Sequence, residues 1–230
     1  RGNALDLSTL PIDFIHRVEV VRGPAASAYG GGAQGGILHL KTNPKRTPKT
    51  SSTLRVGAFG LVQAVLGGSE KHDSGDHMGV VRFERADGDF PYRDVNGQPG
   101  RRLNNHHLRF GALARSRWQP NAHDEITGIV ETMFDDRGEP GSAQFPSLDA
   151  YSRRMRLMNA LNWRNPSISS GRLPLQLQAF SLFRHFEFHD PSPTFMGDPS
   201  RFSMDDNTTG IRGSVSWEGH RKIRPRLQFE

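Results

Sequence analysis

From residue 51 onward, apolar and polar positions alternate along the chain. In 108–118 the even positions carry Leu108, Phe110, Ala112, Ala114, Ser116 and Trp118, and the odd ones Arg109, Gly111, Leu113, Arg115 and Arg117. A period of two puts the apolar set on one face of a strand and the arginines on the other. The pattern returns in 125–134, where Ile126, Val130 and Phe134 oppose Glu125, Thr127 and Glu131. In 153–163, Met155, Leu157, Leu161 and Trp163 oppose Arg154, Arg156 and Asn162. In 208–217, Ile211, Val215 and Trp217 oppose Thr208, Arg212, Ser214 and Ser216, and Leu54, Val56, Ala58, Val62, Ala64 and Leu66 form an earlier stripe. Between 173 and 188 the apolar phase switches from Leu175, Leu177 and Ala179 to Phe180 and Leu182, which predicts a β-bulge. About nine strands are expected: 52–59, 61–68, 77–88, 106–118, 125–134, 151–164, 172–188, 208–218 and 224–230.

One-faced strands suit either a soluble sandwich or a barrel in lipid. The connections favour the barrel. Gaps near 69–76, 119–124, 165–171 and 219–223 are short, whereas those near 89–105, 135–150 and 189–207 are long. Outer-membrane barrels alternate short periplasmic turns with long extracellular loops. Trp118, Trp163 and Trp217 each fall at a strand end leading into a short gap. They are expected to form a girdle at one membrane interface, where an amphipathic indole is most stable. The polar face, with Arg109, Arg115, Arg117, Glu125, Glu131, Arg154, Arg156 and Arg212, would then line a wet or plugged lumen.

Composition agrees. Only 34% of the 230 residues are hydrophobic, with 25 Gly and 15 Pro, lean for a thick core but suited to many short strands. The net charge of +6 is spread along the chain with no Lys/Arg block, so no nucleic-acid partner is expected. The absence of cysteine excludes disulfides, thiolate zinc sites and thiol catalysis within the chain. No run approaches the ~18 apolar residues of a transmembrane helix.

The segment 17–36, RVEVVRGPAASAYGGGAQGG, holds a G-x-G-x-x-G at Gly30, Gly32 and Gly35. A dinucleotide site needs a helix next, with its N-terminus at the phosphates. Instead Ile37, Leu38 and Leu40 suggest a second strand, and Pro44 and Pro48 stop any helix. The glycines fit a tight, close-packed connection between two strands. No catalytic Ser/His/Asp set or paired carboxylates stand out, so neither an enzyme nor a resident cofactor is expected.

The same segment resembles the end of the plug domain of TonB-dependent outer-membrane receptors. Glu19, Arg22, Gly23, Pro24, Ser27, Tyr29, Gly30, Ala33, Gly35 and Gly36 match the family pattern position by position; His39 stands where the family usually has Asn. The resemblance implies part of an α+β plug over 1–46, followed over 47–230 by the first strands of an antiparallel transmembrane β-barrel of about 22 strands. The chain is thus expected to be a piece of a longer protein. The implied function is energy-coupled uptake of a scarce nutrient, such as a ferric siderophore, cobalamin or another metal complex, across the outer membrane of a Gram-negative bacterium. The implied partners are outer-membrane lipid, the nutrient, and the TonB complex through a segment absent from this chain. A passive porin or surface-binding barrel is the alternative, and a soluble β-sandwich binding module the second.

Substrate contacts are expected in the long loops, at Tyr92, Arg93, Arg101 and Arg102 and at Phe195, Arg201 and Phe202. Aromatics interleaved with arginines suit an anionic, partly aromatic ligand. Charged Glu19 and Arg22 would need polar partners in plug or wall. His185, Glu187 and His189 alternate, so an extended strand puts them on one face as a candidate metal set.

Overall fold

The computed structural model of the chain describes residues 15–21, 37–42, 49–94, 96–168, 173–192, 199–216 and 226–229. Strands β1 (Ile15–Val21) and β2 (Ile37–Thr42) pair antiparallel, as expected for the two sides of the glycine-rich segment. That segment lies outside the described residues, and with it Arg22, Gly23, Pro24, Tyr29, Gly30, Gly35 and Gly36.

The chain continues as β3 (Thr50–Val56), β4 (Val62–His72), β5 (Gly75–Ala86), β6 (Phe90–Arg93), β7 (Pro99–Arg102), β8 (His107–Trp118) and β9 (Glu125–Gly138). It ends with β10 (Tyr151–Ser167), β11 (Leu173–Asp190), β12 (Ser200–Ser216) and β13 (Arg226–Phe229). β6 and β7 form a small separate hairpin. The other nine make one antiparallel sheet in the order β13-β12-β11-β10-β9-β8-β5-β4-β3. Each strand lies beside its predecessor in sequence, apart from the β6–β7 insertion, so the sheet is an up-and-down meander. All nine expected strands are present.

Three expectations are corrected. β11 carries no bulge: it pairs without a register shift with β10 from Leu175 to His189 and with β12 from Leu175 to Asp190. The change in apolar phase comes from Phe180, Leu182, Phe186 and Phe188, which occupy the polar face of an unbroken strand. β12 starts at Ser200, so Arg201 and Phe202 are strand residues and the β11–β12 connection is 191–199. The strand was hidden because 205–209 is polar on both faces. Ala58 lies in a 3-10 turn, 58–60, between β3 and β4.

From 73–74 onward the connections alternate between short and long as expected, while the first, 57–61, is short although it lies on the long side. At one end lie 57–61, 87–106, 139–150 and 191–199; at the other lie 73–74, 119–124 and 168–172. The shortest, Asp73–Ser74, is tied to the next by the Gln119 amide, which donates to the Ser74 carbonyl at 2.6 Å. The strands are so close at this turn that a Cβ on Gly75 would stand 2.0 Å from the Arg117 carbonyl oxygen.

Register sorts the two faces. On the apolar face, Phe83, Phe110, Phe134 and Met155 stand opposite one another in a row near the long connections. Trp118, Ile126, Trp163 and Leu177 form a second row near the short ones. The rows are about 27 Å apart along the strands at about 3.4 Å per residue, a rise of about 19–22 Å at a 35–45° tilt, within the ~25 Å apolar band of an outer-membrane barrel. Large apolar side chains on this face are exposed: Leu54 73%, Leu66 60%, Ile211 63%. The polar face holds only a small apolar cluster of Val65, Met78, Val80 and Leu113. Such a sheet has too little of its own core and needs apolar surroundings on one side.

Candidate functional site

The polar face is organised as rows of side chains that cross the sheet. One row is Arg55, Gln63, Glu84, Arg109, Asp135 and Arg154, each directly opposite the next. Arg55 donates to Gln63 at 2.7 Å, and the Gln63 amide donates to Glu84. Glu84 also accepts from Arg82 at 2.8 Å, lies 3.0 Å from His107 Nε2, and is 3.7 Å from Arg109. Arg109 donates to Asp135 at 3.3 Å, and Asp135, wholly buried, also accepts from Arg137 at 2.9 Å. The row then changes chemistry: the Arg154 guanidinium lies over the Phe186 ring, 5.5 Å from its centroid.

A second network lies nearer the short connections. Asp76, nearly buried, accepts from Arg115 at 2.7 Å and from Arg117 Nε at 2.6 Å. Arg117 reaches on to Glu125 at 3.3 Å, and Glu131 accepts from Arg156. Like charges on neighbouring strands would repel; here carboxylates interleave with guanidiniums, so each buried charge has an opposite partner. The residues predicted for this face, Arg109, Arg115, Arg117, Glu125, Glu131, Arg154, Arg156 and Arg212, all lie on it. Their ion-pair partners are largely other wall residues. Glu19 likewise finds cations in its own hairpin, Lys41 at 2.7 Å and Arg17 at 2.6 Å. Sequence reasoning missed Glu84 and Asp135 as hubs. Their signal was parity: both fall in phase with the arginines of β8 once the register is known.

The long connections are tied to one another. Tyr92 Oη donates to the Ala143 carbonyl at 3.5 Å, and Arg102 donates to the Gly141 carbonyl. Asn104, with φ 56°, donates to the Ala150 and Ser147 carbonyls at 2.7 and 3.3 Å. Arg93 is turned back onto Gly97 O at 2.8 Å, and Arg101 is exposed. Tyr92 and Arg102, expected as ligand contacts, thus clasp two connections together. Phe195 lies outside the described residues.

His185, Glu187 and His189 do share one face of β11, the apolar one, with His185 opposite Met155 in the phenylalanine row and the other two beyond it. His185 Nδ1 is 2.6 Å from Asp205, Glu187 accepts from Arg201 at 3.1 Å, and His189 Nδ1 is 3.3 Å from Tyr151 Oη. They face different partners, and among the described residues no group of three or more His, Asp or Glu is gathered as a metal site.

At the opposite end, Trp118 is half exposed and Trp163 donates its indole N–H to Asp124. Asp124 Oδ1 also accepts from Asn165, and Asp124 Oδ2 accepts from Asn121. These donors, Asn121 foremost, then Trp163 and Asn165, hold its carboxyl below the usual aspartate range. Trp217 lies outside the described residues.

Residues 1–37 match the model of the TonB-dependent Receptor Plug Domain. The ferric enterobactin receptor of Pseudomonas aeruginosa is 49% identical over 42 residues, 18% of this chain and 6% of that protein. The ferrienterobactin receptor of Escherichia coli is 51% identical over 37 residues, 16% of this chain and 5% of that protein. The vitamin B12 transporter BtuB of Vibrio vulnificus is 44% identical over 52 residues, 22% of this chain and 8% of that protein. The matches therefore span less than a tenth of these relatives' lengths. Among solved structures, the copper transporter OprC superposes with a TM-score of 0.64 at 18% identity, over 88% of this chain and 31% of that one. That likeness extends the agreement from the plug segment to the wall, as fold. Residues 1–37 of the chain therefore carry the TonB-dependent receptor plug signature, and the sheet that follows shares the fold of the OprC structure.

Proposed function

We propose that the chain is part of an outer-membrane receptor that takes up a scarce nutrient, with energy delivered through its plug. Residues 1–46 are the end of the plug, and 47–230 the start of the barrel. The observation that carries this reading is the pairing of the two parts: a plug signature precedes a wall whose polar face is a cross-linked charge lattice. A wall that encloses only water has no need of a plug. The Trp118 and Trp163 row would mark the periplasmic interface and the phenylalanine row the outer one. Outside the wall lies lipid; the TonB complex would act through a segment absent from this chain.

The substrate class that fits best is an anionic metal chelate. The long connections carry Arg93, Arg101 and Arg102 beside Tyr92 and Phe90, and relatives in the comparison are named for ferric enterobactin. A copper ion or cobalamin is the alternative, since other relatives are named for those. The test is uptake by cells that carry the complete receptor, with ferric chelates and cobalamin as probes, with and without TonB. Energy-dependent uptake of one of them is expected. Equal uptake without TonB would make the protein a passive porin.

A further inference from the structure

The apolar face of β4, β5, β8 and β9 is not evenly filled. One row across it is Gly68, Gly79, Ala114 and Val130, each directly opposite the next. Leu66 and Val81 stand in the neighbouring row toward the long connections. Where the glycines and Ala114 run between Leu66, Val81 and Val130, the surface sinks into an open apolar groove of about 440 Å³. The row on the other side, toward the short connections, begins Glu70, His77 and Ser116, and His72 follows Glu70 on the same face of β4. One end of the groove is therefore polar. His77 Nδ1 lies 2.8 Å from Ser116 Oγ, the His72 and His77 rings are 5.7 Å apart, and His72 Nε2 is 3.7 Å from the Glu70 carboxylate. Glu70, His72 and His77 are all exposed. Trp118, which follows Ser116 on the same face of β8, is half exposed and sets the height of this cluster at a membrane interface.

We infer that the groove and its polar end bind one phospholipid of the periplasmic leaflet, of the class whose headgroup joins a primary ammonium to a phosphate. The inference rests on the reading of the sheet as an outer-membrane wall and adds a particular lipid partner to it. Each part of the site matches a part of that molecule. The groove takes an acyl chain, which fills space that would otherwise leave its lining without contacts. With the Ser116 hydroxyl donating to His77 Nδ1, the ring proton lies on Nε2, a donor for the phosphate. The Glu70 carboxylate accepts from the ammonium. A purely anionic headgroup would meet like charge at Glu70, and a quaternary ammonium would offer it no N–H. The tryptophan row places the cluster at the depth of headgroups and the groove at the depth of chains, as one lipid requires.

The experiment places the complete receptor in phosphatidylcholine vesicles with increasing fractions of phosphatidylethanolamine or phosphatidylglycerol brominated near the headgroup end of the chains. Bromine quenches indole fluorescence on contact, and Trp118 is isolated as the difference between the receptor and its Trp118→Phe variant. Phosphatidylethanolamine is expected to reach half quenching at an about fivefold lower fraction than phosphatidylglycerol, the usual size of one charge contact at a membrane surface. Glu70→Gln should erase that preference, and His77→Phe should raise the half-quenching fraction of phosphatidylethanolamine about threefold. Gly79→Leu should do the same by filling the groove. The fold tolerates a side chain there, since the nearest atom to a Cβ on Gly79 would be the Leu113 carbonyl oxygen at 3.8 Å. Equal quenching by the two lipids, a preference for phosphatidylglycerol, or wild-type quenching in Glu70→Gln and Gly79→Leu would overturn the inference and leave the wall reading intact. Quenching by neither lipid would overturn it too. In a receptor that light scattering shows to be dimeric, that result means a second copy covers the groove; in a monomer, it means the face does not meet lipid, and the wall reading itself fails.

Discussion

Trp163, near the end of β10, donates its indole N–H to Asp124 at 2.8 Å, which locks the strand to the turn that joins β8 and β9. Because the donors depress the Asp124 pKa, the ionised form stabilises this end of the wall. The contribution is fully present above the unfolded carboxylate value of about 3.9 and is lost as pH falls through the lower folded value. Acidification below about pH 4 should therefore lower the amide-exchange protection factors, relative to the intrinsic rates at each pH, of His123 and Asp124, whose N–H groups donate to Asn121 in the same turn. Trp163→Phe should give the same loss of protection at neutral pH. Unchanged protection in both would remove the lock.

Asp76 is shared by two arginines. Asp76→Ala leaves Arg115 and Arg117 adjacent and underpaired on a face with little water, and should cost about 3 kcal/mol or more in urea unfolding of the complete receptor. Arg115→Ala should cost less, because Asp76 keeps Arg117. The reverse ranking would show that the arginines are held by other groups.

Val130, on the apolar face, lies midway between the tryptophan and phenylalanine rows of β9, and Thr208 is exposed on the polar face of β12. Val130→Arg should destabilise folding into lipid vesicles by about 2–4 kcal/mol, the range for a midplane arginine on a lipid face. Thr208→Arg should cost under about 1 kcal/mol. Equal costs would mean that the two faces do not meet lipid and lumen.

Arg102 and Asn104 hold the 87–106 connection to 139–150. Arg102→Ala and Asn104→Ala should each make 141–146 more sensitive to protease added to intact cells, with the barrel still folded. Resistance equal to wild type would show that the connections are ordered independently.

Strand existence was legible because alternate residues carry opposite polarities, one face of the sheet being apolar and the other charged. The same logic misread β11. Alternation reports what a face touches, and where aromatic rings occupy the lumen face at Phe180, Phe186 and Phe188 the pattern imitates a bulge. It also missed the first half of β12, where Asp205, Asn207 and Thr209 are polar on one face and Asp206 and Thr208 on the other, so the period disappears. The hubs Glu84 and Asp135 could not be found from one strand, because what makes them hubs is register across four strands, β4, β5, β8 and β9. That Tyr92 and Arg102 reach carbonyls of the 139–150 connection was not legible either, since a loop side chain gives no sign in sequence of which distant backbone it meets.

The strands are not of one length. β3 has 7 residues, whereas β10 and β12 have 17 and β11 has 18. At about 3.4 Å per residue and a tilt near 45°, the long strands rise about 40 Å, beyond a hydrocarbon layer of about 30 Å, while β3 stays within it. The excess lies toward the long connections, as the polar outer positions of β11 and β12 show. Along this part of the wall the edge therefore climbs from β3 to β10–β12, so the later strands stand as a raised screen beside the lower first ones.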